Sequence, residues 1–147
     1  MTQLSKLKEK LKLIPESGVT IPTIMTHFQL KSILINGHLI GVEVDNLRNE
    51  KFIPIDVFTA VISLLNLSPG HFAKNGDAMG SRLGSEELPF NSIEGHVARI
   101  VYGKNEGISI LKRITPIAGI LVWAEICERI PQRGGEQGGL KLISDTV

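Results

Sequence analysis

The stretch FQLKSILINGHLIGVEV, residues 28–44, sets two runs of Ile, Leu and Val on either side of Asn36–Gly37. β-Branched and aromatic residues suit a pleated, half-buried surface. Asn–Gly tolerates the positive φ angles that a two-residue type I′ turn demands. Phe28–Ile35 and Leu39–Val44 therefore read as a β-hairpin. Along the second run Val42 and Val44 alternate with Gly41, Glu43 and Asp45, so one face is wet and the other meets a core. Asn46–Lys51 reads as a further turn, and Phe52–Ile53, stopped by Pro54, returns as a short third strand. The expected sheet is a small antiparallel β-meander over about residues 27–54.

Before the hairpin, Leu4, Leu7, Leu11 and Ile14 recur at spacings of three and four with lysines between them, which is the pattern of an amphipathic helix over 4–14 ended by Pro15. Its lysine face is expected to be solvated and its apolar face to lie on the core as a lid. Pro15 to Pro22 reads as a connector. After the hairpin, Asp56 suits the N-cap of an apolar helix running to about Leu65. Asn91, with Glu94 three residues on, marks another helix ending near Tyr102–Gly103. Thr115–Pro116 opens a fourth, expected to reach about Arg129 and to carry Trp123 and Cys127. Leu140–Ile143 is expected to close against the sheet as a terminal strand. The fold expected is α+β: the meander packed by four helices, with residues 1–147 forming one globular domain.

The segment 69–89 differs in kind. It is a long Gly-rich loop with Gly70, Gly76, Gly80 and Gly84 among small polar residues. Loops of this length inside a domain usually carry function. It is not a phosphate loop, because Gly84 is followed by Ser85 and Glu86 where Lys and Ser or Thr are needed.

Composition narrows the function classes. Hydrophobic residues make up 42% and charged ones 21%, as in a globular protein. Sixteen Lys and Arg against 15 Asp and Glu give a net charge of +1, which excludes a surface wholly adapted to coating nucleic acid. The single cysteine excludes an intramolecular disulfide framework and points to a reducing compartment. Residues 4–14 lack the unbroken apolar core of a signal peptide, and Ile117–Ala124 is too short to span a bilayer. A soluble, cytoplasmic chain without membrane contact is expected.

Chemistry-bearing patterns are sparse. His27, His38, His71 and His96 stand alone, with no second ligand at metal-site spacing, so no metal is expected. Glu43, Asp45, Glu50 and Lys51 gather acids and a base near one sheet, but Glu50 and Lys51 adjoin in a turn rather than sharing a strand face. Glu86–Glu87 reads as solvated. Cys127 has no evident base beside it, and no Gly-x-Ser-x-Gly elbow occurs. No catalytic residue and no cofactor is assigned, and the reading leans away from an enzyme.

One stretch concentrates charge. Between Ser92 and Thr115, Arg99, Lys104, Lys112 and Arg113 outnumber Glu94 and Glu106. With Ala98 as a small helical residue and Gly103 in the turn, 92–114 reads as helix-turn-helix-like. Tyr102, Asn105 and Ser109 then suit hydrogen bonds to phosphate, and Lys112 and Arg113 suit charge or base contacts. The expected function is an accessory or regulatory nucleic-acid-binding domain, with double-stranded DNA ahead of RNA. Its contact residues are Arg99, Lys104, Asn105, Ser109, Lys112 and Arg113. Two alternatives stand beside it. One is a protein-interaction or homo-oligomerisation module using the N-terminal helix or the hairpin edge; the other is an enzyme with its site under the 69–89 loop.

Overall fold

A computed structural model describes residues 2–48 and 50–143. Four strands form the first sheet in the order β1 (Val19–Pro22), β2 (His27–Ile35), β3 (His38–Val44) and β4 (Phe52–Pro54), all antiparallel. Asn36 and Gly37 take φ of 51° and 79°, the double positive φ of the type I′ turn. Phe28, Leu30, Val42, Val44 and Ile53 are buried on one face. The register slips between Ile33 and Leu34, so Ile40 bulges out of the ladder just before Gly41. Gly41 is required there: a Cβ would collide with the Ile53 carbonyl and lie 2.7 Å from the Phe52 ring.

The meander has one more strand than the sequence suggested. Val19–Pro22, inside the expected connector, pairs with β2 from Val19↔Leu30 to Pro22↔His27. Pro22 is tolerated because β1 is an edge strand. The edges of this sheet are therefore β1 and β4, with the Phe28–Val44 hairpin in its interior.

Four helices pack on this frame: α1 (Gln3–Lys12), α2 (Ile55–Leu67), α3 (Ile93–Ile100) and α4 (Ile114–Trp123). The apolar face of α1 packs inside the chain, with Leu7 and Leu11 fully buried and Leu4 and Ile14 partly so. Its lysine face is more than solvated, since Lys6 and Lys10 donate to main-chain carbonyls at the end of α4. Pro54, not Asp56, takes the N-cap position of α2, and Asp56 sits in the first turn, where its charge suits the helix dipole. Val57, Phe58, Val61 and Leu65 bury one side of α2 at the centre of the core.

The second sheet is the largest departure from expectation. It has three antiparallel strands, β5 (Phe72–Lys74), β6 (Cys127–Ile130) and β7 (Gly139–Leu142), in the order β5-β7-β6. The terminal strand thus forms, but against these partners and not against the meander. The helix expected to reach Arg129 stops at Trp123. Glu125 adopts φ 63°, its N–H donates to the Val122 carbonyl, and the Ile126 N–H donates to the Leu121 carbonyl. These two bonds make a Schellman stop with glutamate in the left-handed position that glycine usually fills. Cys127 consequently begins a strand, buried, with its thiol pushed up to about 12 by burial.

The 69–89 segment is tied down along its length. It contains a short 3₁₀ turn (Pro69–His71) and β5, and then folds onto the chain after α3. Leu83 and Leu88 are buried in a satellite cluster with Ala98, flanked by Phe90 and Ile110. Among the described residues no helix is long and apolar enough to cross a membrane.

Candidate nucleic-acid interface

The basic segment begins with α3. Its N-cap is Ser92, whose Oγ accepts from the Gly95 N–H at 3.1 Å and donates to the Pro89 carbonyl at 2.7 Å; Asn91 lies outside the helix. A Cβ at Gly95 would collide with that same Pro89 carbonyl, so the loop can close over the helix start. Glu94 does not reach back to its own cap, as a capping box would have it. It is buried and points to α4, accepting from the N–H of Arg113 at 2.8 Å and of Ile114 at 3.0 Å. Burial outweighs these bonds and raises its pKa to about 7.

No helix follows the turn. Gly103 and Gly107 take φ of 63° and 89°, and the chain from Ile108 to Lys112 runs irregular until α4 starts at Ile114. Pairing with the loop accounts for this. The Leu83 N–H donates to the Ile108 carbonyl and the Gly107 N–H to the Leu83 carbonyl, so that backbone is engaged outside any helix. Residues 92–113 therefore contain one helix and an irregular return, with no recognition helix.

Arg113, expected at the interface, is withdrawn from it. It is 4% exposed, and its Nη2 donates to both carboxylate oxygens of Glu50 at 2.9 Å. Its guanidinium lies 3.8 Å from the centre of the Tyr102 ring. Tyr102, expected to reach phosphate, has its hydroxyl buried beneath this stack. Both residues join α4 to the turn after β3 and serve the fold.

The other candidates separate into two places. Arg99, Lys104, Asn105 and Ser109 are exposed around the satellite cluster, with the Arg99 guanidinium 4.6 Å over the Phe90 ring. Lys112 is exposed too, but lines a groove with Asn75 and Ile114. The structure adds one cation that the linear pattern could not reveal. Arg82 is exposed and its Nη1 donates to the Gly107 carbonyl at 3.2 Å, so the 69–89 loop delivers it beside the 103–107 turn. Only the long-range pairing of Leu83 with Ile108 places it there. The turn carries one acid, Glu106, which packs against Gly84, and the loop carries exposed Glu86 and Glu87 beyond Leu83.

The resulting lobe presents cations, an amide and a hydroxyl from loops and the last turn of α3 over a small apolar base. Beneath residues 83–88 lie Ala98, Phe90 and Ile110, groups with no acid–base chemistry. Among the described residues no three His, Cys, Asp or Glu side chains gather as a metal would need. No family model, no curated protein and no solved structure matches the chain.

Proposed function

We propose that the chain is a nucleic-acid-binding accessory domain that contacts the phosphate backbone of duplex DNA through the lobe of Arg82, Arg99, Lys104, Asn105 and Ser109. The observation that carries this reading is the junction of Leu83 with Ile108, which brings an arginine from one long loop beside the lysine-bearing turn at 103–107. Exposed cations with no ion-pair partner among the described residues are what phosphate contact uses. With loops in place of a recognition helix, nothing is shaped to enter the major groove, so contact is to backbone and not to base edges.

Fluorescence anisotropy on generic duplex at low salt tests it. Three phosphate contacts give a slope of log affinity against log salt of about −2.7. The triple variant Arg82→Gln, Arg99→Gln, Lys104→Gln flattens that slope. No anisotropy change at low salt, where phosphate contacts are strongest, removes the reading.

A further inference from the structure

A groove of about 750 Å³ lies between the β1–β2 turn and the β6–β7 hairpin, well within the size range of small-molecule sites. Ile24 and Met25 line it from the turn, Ile114 and Ala118 from α4, and Ile130 and Leu140 from the hairpin. Its charged residues are Lys112 and Arg129, and neither has an ion-pair partner among the described residues. No acid and no aromatic ring is among the described residues that line it. Ile24 and Met25 are 81% and 91% exposed, two adjacent large apolar side chains left to water at the mouth of a concave surface.

We propose that this groove binds a single-chain aliphatic carboxylate, with its carboxylate held by Lys112 and Arg129 and its chain laid along Ile24, Met25, Ala118, Ile130 and Leu140. Three features select this chemistry. Aliphatic lining without a ring offers nothing to stack a planar ligand and suits a flexible hydrocarbon. Two cations without an acid favour an anion over a neutral or cationic head. Asn75, also on the lining, has a buried amide oxygen with no partner. Its Nδ2 donates to no group among the described residues and is available to a carboxylate in the groove. The site shares no residue with the Arg82–Arg99–Lys104 lobe, so it stands or falls apart from nucleic-acid binding.

Titration of the full chain with octanoate, decanoate and dodecanoate, followed by amide shifts in ¹⁵N-correlated spectra, tests it, with decanol as the uncharged control. One saturable site is expected, with shifts centred on Ile24, Met25, Ala118 and Ile130. Affinity should rise about fourfold per added methylene. Lys112→Ala with Arg129→Ala should weaken decanoate about a hundredfold, the loss of two charge-assisted bonds, and leave decanol unchanged. Met25→Asp, at a position too exposed to disturb folding, should abolish decanoate binding. The proposal is overturned if decanol binds as tightly as decanoate. It is equally overturned if no saturable binding precedes micelle formation, or if the shifts spread to exposed Leu13 and Leu67.

Discussion

Glu94 and Lys10 never meet, yet each closes one end of α4. The Glu94 carboxylate accepts from the N–H groups of Arg113 and Ile114 where the helix begins. The Lys10 ammonium donates to the Trp123 carbonyl at 2.7 Å where it ends, with Lys6 on the Glu125 carbonyl at 3.0 Å. An anion at the N-terminus and cations at the C-terminus both oppose the helix dipole. α4 is the most apolar helix of the chain and packs its Gly119 against the Phe28 ring. With so little polar surface of its own, it draws its terminal partners from α3 and α1.

The Glu94 cap makes stability depend on pH. Its folded pKa of about 7 stands above the ordinary 4.5, so the folded state binds the proton more tightly than the unfolded chain. Stability from this group is therefore fully present below about pH 4.5 and is lost as pH rises through 7. Arg113 and Lys112 lie near enough to temper the shift but not to reverse it. The unfolding free energy in urea should fall between mildly acidic and mildly alkaline buffer by on the order of 2–3 kcal/mol. Glu94→Gln, which keeps a carbonyl oxygen for the two N–H groups, should remove that slope. An unchanged slope in the variant would assign the effect to another group.

Lys10→Met tests the other end of the helix. Methionine keeps an apolar stem against Trp123, whose ring centre lies 4.7 Å from the Lys10 ammonium, and loses only the donor and its charge. The expected cost is about 1 kcal/mol in urea unfolding followed by Trp123 fluorescence. The same change at half-buried Lys8 or exposed Lys12, neither of which caps the helix, should cost far less. Equal losses at all three positions would show that general charge on α1, and not capping, is what matters.

Arg113 and Glu50 separate fold from function. Glu50→Gln leaves a nearly buried guanidinium without its counter-charge, and an uncompensated buried charge is the costly case. Since Glu50 is 37% exposed, solvent softens the loss to about 2 kcal/mol. Arg113→Met removes the charge itself and should cost less than Glu50→Gln. Neither should weaken DNA binding at temperatures where the variant is folded, because this arginine faces Tyr102 and Glu50 and not solvent. A marked loss of DNA affinity in folded Arg113→Met would return it to the interface.

What could be read from the sequence follows the range of the cause. The Asn36–Gly37 turn is local chemistry, and its hairpin was legible at once. The three-and-four spacing of Leu4, Leu7 and Leu11 is equally local, and so was α1. By contrast β1, β5 and β6 are three or four residues long. β5 exists only because Phe72 meets Lys141, a partner no window contains. The end of α4 was missed because Glu125 does glycine's work in a left-handed position, and glutamate gives no sign of it. Among the candidate contacts, Arg99 at the end of α3 and Lys104, Asn105 and Ser109 in and after the turn are legible as polar residues and are exposed. Arg113 looked the same in sequence, and its burial is decided by Glu50, distant along the chain. Arg82 entered for the opposite reason, since apolar Leu83 beside it is buried and draws the arginine to Gly107.

Glu106 offers the cleanest test of the lobe, because changing it leaves every proposed contact in place. It sits in the turn with Lys104 and Asn105, exposed, its stem against Gly84. A phosphate bound there feels a like charge at roughly 10 Å, worth about 0.4 kcal/mol per phosphate in water. With two phosphates in range, Glu106→Gln should tighten duplex binding about fourfold at low salt. Screening over about 8 Å should erase most of that gain at physiological ionic strength. The direction is the informative part. Losing an acid strengthens binding only if phosphate lies against this turn, whereas DNA held on a distant face would leave the low-salt affinity where it was.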